Sequence, residues 1–417
     1  MSVQTKTQPL GGNQPAIGRP PMPSVRPLVL GAALIVAVLL GSVILGSQGV
    51  KQGILFGIGL LLGYTLYHAR FGFTSAFRRL VSVGQGAGVR AHMLMLSVAS
   101  LLFAPILSSG VGFFGAQPEA SVAPVGVSVL VGAFIFGIGM QMGGGCASGV
   151  LYQVGGGGSS VLITLIAFIA GSVIGAWHWD FWVNQLPSLP PISLAETTGL
   201  GYGPALLIQL ALFGAIAGAT VLIARRKKAP PMKPLPTTYG LLRVIRGSWP
   251  LWVGALLLAG LNALTLAIKG SPWGITSAFA LWGSKVLSTL GVNVSQWAYW
   301  SGDRAADLKA SVLADTTSVM NFGIILGAMV AAAAAGTYAF RKVPGKVAMS
   351  SIIGGLLMGY GARLAYGCNI GAYFGGIASF SLHGWVWAVM ALTGTFIGLR
   401  MRSIFGLKNP KSRDSFC

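Results

Sequence analysis

The sequence predicts an all-α integral membrane protein: about ten transmembrane helices plus four short re-entrant half-helices, arranged as an inverted repeat. Three observations carry this reading. The 417-residue chain is 54% hydrophobic and 8% charged, with 62 glycines and a mean hydropathy of +0.74, whereas a soluble domain carries about 25% charged residues. Ten apolar stretches approach the roughly 20 residues needed to cross a bilayer core. A pair of glycine-rich motifs then occurs twice along the chain.

Taken in order, residues 1 to 27 are rich in Pro, Gly, Thr and Gln without periodicity, and are expected to be a disordered cytoplasmic tail. Spans are expected near 28 to 47, 53 to 67, 91 to 110, 123 to 142 and 159 to 178, then 203 to 224, 249 to 268, 319 to 339, 347 to 365 and 383 to 400. The first resembles a signal peptide, but no small-x-small cleavage site stands clearly after it, so it is read as retained. Residues 28 to 224 form a first half: an extra helix, a repeat copy over about 53 to 178, and a connecting helix at 203 to 224. A basic cytoplasmic linker, 225 to 247, leads to the second copy, 248 to 402, and residues 403 to 417 are a cytoplasmic tail.

Charge sets the orientation. Lys and Arg outnumber Asp and Glu by 28 to 7, but so sparsely that a nucleic-acid surface is excluded. With the N-terminus inside, 22 of the 28 basic residues fall in cytoplasmic segments, and every acidic residue except Asp414 falls outside. Both termini are therefore expected in the cytoplasm, and only Arg363 lies within a span.

The repeat is visible in residues. FGFTSAFR (71 to 78) matches WGITSAFA (273 to 280), and GIGMQMGGGCASGVLY (137 to 152) matches GYGARLAYGCNIGAYF (359 to 374). Equivalent spans two and seven are five crossings apart, an odd number, so the copies insert in opposite orientations. The second copy also carries a polar outer excursion at 284 to 312. The four motifs, at 71 to 80, 143 to 153, 272 to 282 and 367 to 377, are too short and too rich in glycine to cross. Irregular backbone at membrane depth is tolerated only where protein or a water-filled path covers it. The motifs therefore line a central pathway, the site of substrate binding in inverted-repeat transporters.

The chemistry at that centre is not enzymatic. No buried carboxylates, metal-ligand pattern, phosphate loop or nucleophile elbow is present, and no cofactor or metal is expected. His68, His92, His178 and His383 sit at predicted span ends. What remains is glycine backbone around Gly72, Gly145 and Gly367, together with Thr74, Ser75, Thr276, Ser277, Gln141, Asn369, Arg363, Cys146 and Cys368. Free N–H groups at the start of a short helix favour an anion. A thiol adds a soft, weak donor suited to sulfur. Glycines also serve helix packing, and a lone buried cysteine is commonly a small hydrophobe. Two cysteines at one position of an inverted repeat favour a pathway role. Cys417 ends a polar tail and is read as incidental.

These residues resemble the YeeE/YedE family of bacterial inner-membrane proteins. RFGFTSAFR, GGGCASGVLYQ and GARLAYGCNIGAYFGGIASFSLHGW carry the resemblance, which with the span pattern covers nearly all of residues 50 to 402. It implies an inverted-repeat fold in the inner membrane and uptake of thiosulfate, with one branch linked to selenium metabolism. It also implies that Cys146 and Cys368 contact the substrate's terminal sulfur by S–H···S hydrogen bonds. Gly72 stands where many relatives carry a third cysteine. The expected function is uptake of a small sulfur-containing anion, most simply thiosulfate. The alternatives are transport of a selenium compound, or a membrane sulfur-transferase that passes a persulfide to a cytoplasmic sulfur-carrier protein.

Overall fold

The computed structural model describes residues 22 to 232, 238 and 240 to 411. Most of the 1 to 27 tail, part of the linker and Cys417 lie outside the described residues. Fifteen α-helices follow in order: α1 Pro27–Ala69, α2 Phe73–Val83, α3 Ala87–Ser109, α4 Val127–Met142, α5 Ala147–Gly155, α6 Ser159–Trp177, α7 Tyr202–Arg226 and α8 Leu242–Arg246. Then come α9 Leu251–Lys269, α10 Thr276–Thr289, α11 Arg304–Lys309, α12 Thr316–Ala335, α13 Gly345–Leu364, α14 Gly376–Ala378 and α15 Leu382–Ile404, with a π-helical turn, Asn369–Gly375, leading into α14. The only paired strands among the described residues are two-residue segments, β1 Val125–Gly126 and β2 Ser188–Leu189.

Nine helices among the described residues are long and apolar enough to cross a membrane. The first supplies two crossings, because α1 is a hairpin. Gly49 breaks it with φ 81° and ψ 179°, a conformation open to glycine. Its limbs fold back on each other: a Cβ on Gly53 would sit 3.1 Å from Leu45, and one on Gly41 would sit 3.3 Å from Phe56. The limb ends confirm the fold-back. The Arg26 N–H bonds Ala333 O at one end of α12, while Gln52 bonds Ala314 O at the other. Spans one and two are thus one hairpin packed along α12, and Asp315 caps that helix by accepting from the Thr317 and Ser318 N–H groups.

Packing partners obey a two-fold exchange. The returning limb of α1 lies on α12 as α9 lies on α3, and α6 lies on α13 as α15 lies on α4. The outgoing limb, through Leu40 and Ile44, packs on α12 as α7 packs on α3. Spans one and six, expected to stand outside the repeat, therefore occupy equivalent positions. The α10 motif also runs further than expected, to Thr289, taking the first residues of the 284 to 312 excursion into the helix.

Glycine makes these crossings close. A Cβ on Gly63 would collide with Ile324 O, and one on Gly327 with Leu60 O, so α1 and α12 touch backbone to backbone. Gly63→Ala and Gly327→Ala are each expected to lower stability by about 1 to 3 kcal/mol through overpacking. Gly214→Ala, where nothing lies within 4 Å, should be neutral. Thermal unfolding of the detergent-solubilised protein checks the contrast.

Candidate functional site

Two chambers open from opposite ends of the bundle, and each is built from a matched pair of motifs. At the end carrying most of the basic residues, the segments leading into α2 and α5 enclose about 50 Å³ between Gly72, Thr74, Ser75, Arg78, Gly145 and Cys146. At the other end, the segments leading into α10 and the π-helical turn enclose about 310 Å³ lined by Gly274, Thr276, Ser277, Gly367 and Gly371. The repeat alignment places Gly72 on Gly274, Thr74 on Thr276, Ser75 on Ser277 and Gly145 on Gly367. In each chamber two short helices present their N-terminal turns, whose N–H groups have no partner within the helix.

Cys146 and Cys368 occupy the N-cap positions of α5 and the π-helical turn. Both are 1% exposed. Cys146 Sγ lies 3.4 Å from Ser148 Oγ, and Cys368 Sγ accepts from the Ile370 N–H at 3.4 Å. Thr74 Oγ1 faces Cys146 without a well-formed hydrogen bond. Asn369, beside Cys368, is fully buried with both amide atoms unpartnered. Buried polar groups are normally satisfied, so this unpaired amide is an exception to the packing around it.

Packed side chains separate the two chambers. α5 meets the π-helical turn directly, and an aromatic cluster of Phe73, Phe77, His92 and Tyr373 stands beside the contact, with ring centroids 4.7 to 6.1 Å apart. His92 lies in the second turn of α3 and is 1% exposed, deeper than its expected place at a span end.

Charge favours an anion in the larger chamber. Arg363, only 6% exposed, donates to Tyr299 Oη at 2.5 Å and to Thr276 Oγ1 at 2.7 Å, and its Nε has no partner. Arg304 stacks on Tyr299 at 4.7 Å and on Trp179 at 5.2 Å. Two guanidiniums and one carboxylate, Glu119, line this space. Behind Arg304, burial pushes the Asp307 carboxyl up, with nearby Asp315 adding to the effect. In the smaller chamber Arg78 is held by Gln141 Oε1 at 2.9 Å.

The structure thus brings Gly72, Thr74, Ser75, Gly145 and Cys146 to one chamber and Thr276, Ser277, Gly367 and Arg363 to the other, while Cys368 and Asn369 are buried and line neither. Gln141 lies one layer behind, bridging Arg78, Thr395 and, through its carbonyl, Arg402. At Gly72 the Ser75 hydroxyl fills the side-chain space: it donates to Gly72 O at 2.9 Å and would sit 2.5 Å from an added Cβ. Sequence reading missed Arg78, Gln153, Tyr299, Arg304 and Trp179. Arg78 and Gln153 stood inside named motifs and were within reach; Tyr299, Arg304 and Trp179 come from loops and helix ends without a pattern.

Residues 68 to 397 match the sulphur transport family. A thiosulfate transporter TsuA of Spirochaeta thermophila is 30% identical over 353 residues, covering 81% of this chain and 95% of the relative. The thiosulfate transporter TsuA of Escherichia coli is 26% identical over 345 residues, 81% of this chain and 91% of its own. A probable transporter YedE of Escherichia coli is 35% identical over 150 residues, 36% and 37% of the two chains. Because the Gln141 carboxamide oxygen accepts from the buried Arg78 guanidinium, Gln141→Leu is expected to cost about 1.5 to 3 kcal/mol, the value of one hydrogen bond to a charged group, while the main-chain bond to Arg402 is kept. Thermal unfolding checks this, with Ser97→Ala, on a half-buried face of α3, as a mild comparison.

Proposed function

The chain belongs to the sulphur transport family, and on that premise we propose that it carries thiosulfate inward across the bacterial inner membrane, its two halves acting as inverted gating units. The observation that carries this reading is the pair of cysteine-capped half-helices, each opening toward its own chamber. Arg304 and Arg363 draw a divalent anion into the outer chamber. Unpaired N–H groups at the short-helix N-termini take over part of its hydration. The thiols of Cys368 and then Cys146 offer S–H donors to the terminal sulfur, a soft contact that an oxygen of sulfate matches less well. Because the closed passage lies between two related chambers, transport proceeds by opening one side and then the other.

Orientation belongs to the same proposal. The basic end faces the cytoplasm, both termini included, since Lys and Arg are retained there during insertion. A cytoplasmic sulfur carrier that consumes the anion keeps the gradient inward. The thiols act by hydrogen bonding rather than by carrying sulfur covalently, so the protein recovered after turnover should show no persulfide by mass spectrometry.

Uptake of radiolabelled thiosulfate by expressing cells tests the core of the reading. Cys146→Ala and Cys368→Ala should each slow uptake about five- to tenfold, the loss of one modest hydrogen bond at the barrier. Cys→Ser at either position should narrow the preference for thiosulfate over sulfate. Arg363→Gln should raise the half-saturating concentration about tenfold or more, because a charge-assisted contact is lost. Undiminished uptake in both cysteine variants overturns the thiol mechanism.

A further inference from the structure

A third cavity, of about 430 Å³, opens at the basic end beside the Cys146 chamber. It is lined by Tyr67, Ser159, Thr337, Arg341 and Lys342, and no acidic residue lines either space. Its walls are tied together: Tyr67 Oη shares a 2.7 Å hydrogen bond with Thr337 Oγ1, and the Arg341 N–H donates to Ser159 Oγ at 2.9 Å. Gln153 is the one residue lining both this bowl and the Cys146 chamber. Its side chain folds back along α5, with Nε2 donating to Gly149 O one turn earlier at 2.8 Å, and this lays the carboxamide against the loop that carries the cysteine: Nε2 reaches Gly144 O at 3.5 Å and would sit 2.9 Å from a Cβ on Gly145. Beside it, Tyr152 of the chamber meets Tyr67 of the bowl edge to face at 6.3 Å. The repeat aligns Gln153 with Gly375, so the outer chamber has no such latch.

We propose that Gln153 is the inner gate of the pathway and that the Arg341/Lys342 bowl is the release site for a small oxyanion leaving the Cys146 chamber. This rests on the transport reading above. Swinging the carboxamide off Gly149 O joins the two spaces. The same motion frees the amide N–H groups for the departing anion, and the two cations replace the contacts it gives up. The latch is a single neutral hydrogen bond, which suits a gate that must open in every cycle.

Thiol accessibility tests the gate without assuming the substrate. In full-length protein carrying Cys368→Ala and Cys417→Ala, Cys146 is the only thiol left. Its rate of modification is measured in vesicles of both orientations, with the anionic reagent sulfonatoethyl methanethiosulfonate and the cationic trimethylammonioethyl methanethiosulfonate. Gln153→Ala, and Gln153→Met, which keeps the bulk but removes the donor, should each raise the rate about five- to tenfold from the side the basic end faces, and from that side alone. Arg341→Gln with Lys342→Gln should lower the preference for the anionic reagent about two- to fivefold. Unchanged rates in both Gln153 variants overturn the gate. Thiosulfate uptake by the unaltered protein, measured in parallel, reports on the substrate: its absence sinks that reading while the modification rates still decide the gate.

Discussion

Backbone polar groups cannot be left bare at membrane depth, and every other feature of this protein follows from how that constraint is met. Four short helices begin inside the bundle, and the glycine loops leading into them carry carbonyls and N–H groups that no helix satisfies. Close helix crossings solve the problem. Gly354 lies against the Gly143 backbone, Gly132 and Gly361 lie against each other, and Gly137 lies against Ala391 O. At these contacts α4, α13 and α15 approach so nearly that lipid is kept from the loops. Side chains finish the work: Thr164 donates to Gly143 O at 3.0 Å, and Trp387 Nε1 donates to Gly367 O at 3.3 Å. The Asn369 amide, fully buried, keeps both of its polar atoms unpaired.

The two-fold exchange gives the molecule a chamber at each end, and departures from it give each chamber its character. One chamber is larger and holds the Arg363, Tyr299 and Arg304 stack, in which Tyr299 and Arg304 belong to an excursion with no counterpart in the first copy. The chamber at the basic end is small, with Arg78 fixed by Gln141 and the Gln153 side chain folded back along α5 against the cysteine loop. A guanidinium stands in each chamber, Arg78 in the smaller and Arg363 in the larger.

The sequence by itself determined the membrane class, the ten crossings and the repeat, because hydropathy, charge distribution and the doubled GC motifs are local in the chain. Cys146, Thr74, Ser75, Thr276 and Ser277 were legible for the same reason: each stands in a motif that occurs twice. Tertiary structure decided what depends on contacts between distant segments. It folded α1 at Gly49 into a hairpin and set α7 opposite its outgoing limb. It placed Gln141 behind the pathway as a bracket for two arginines, and it sank Arg363 against Tyr299, 64 residues away in sequence. Gln153 shows the limit most clearly. In the chain it is one polar residue ending a short helix, and only the meeting of a chamber and a bowl on its two sides makes it a partition, since a gate is defined by the two spaces it divides.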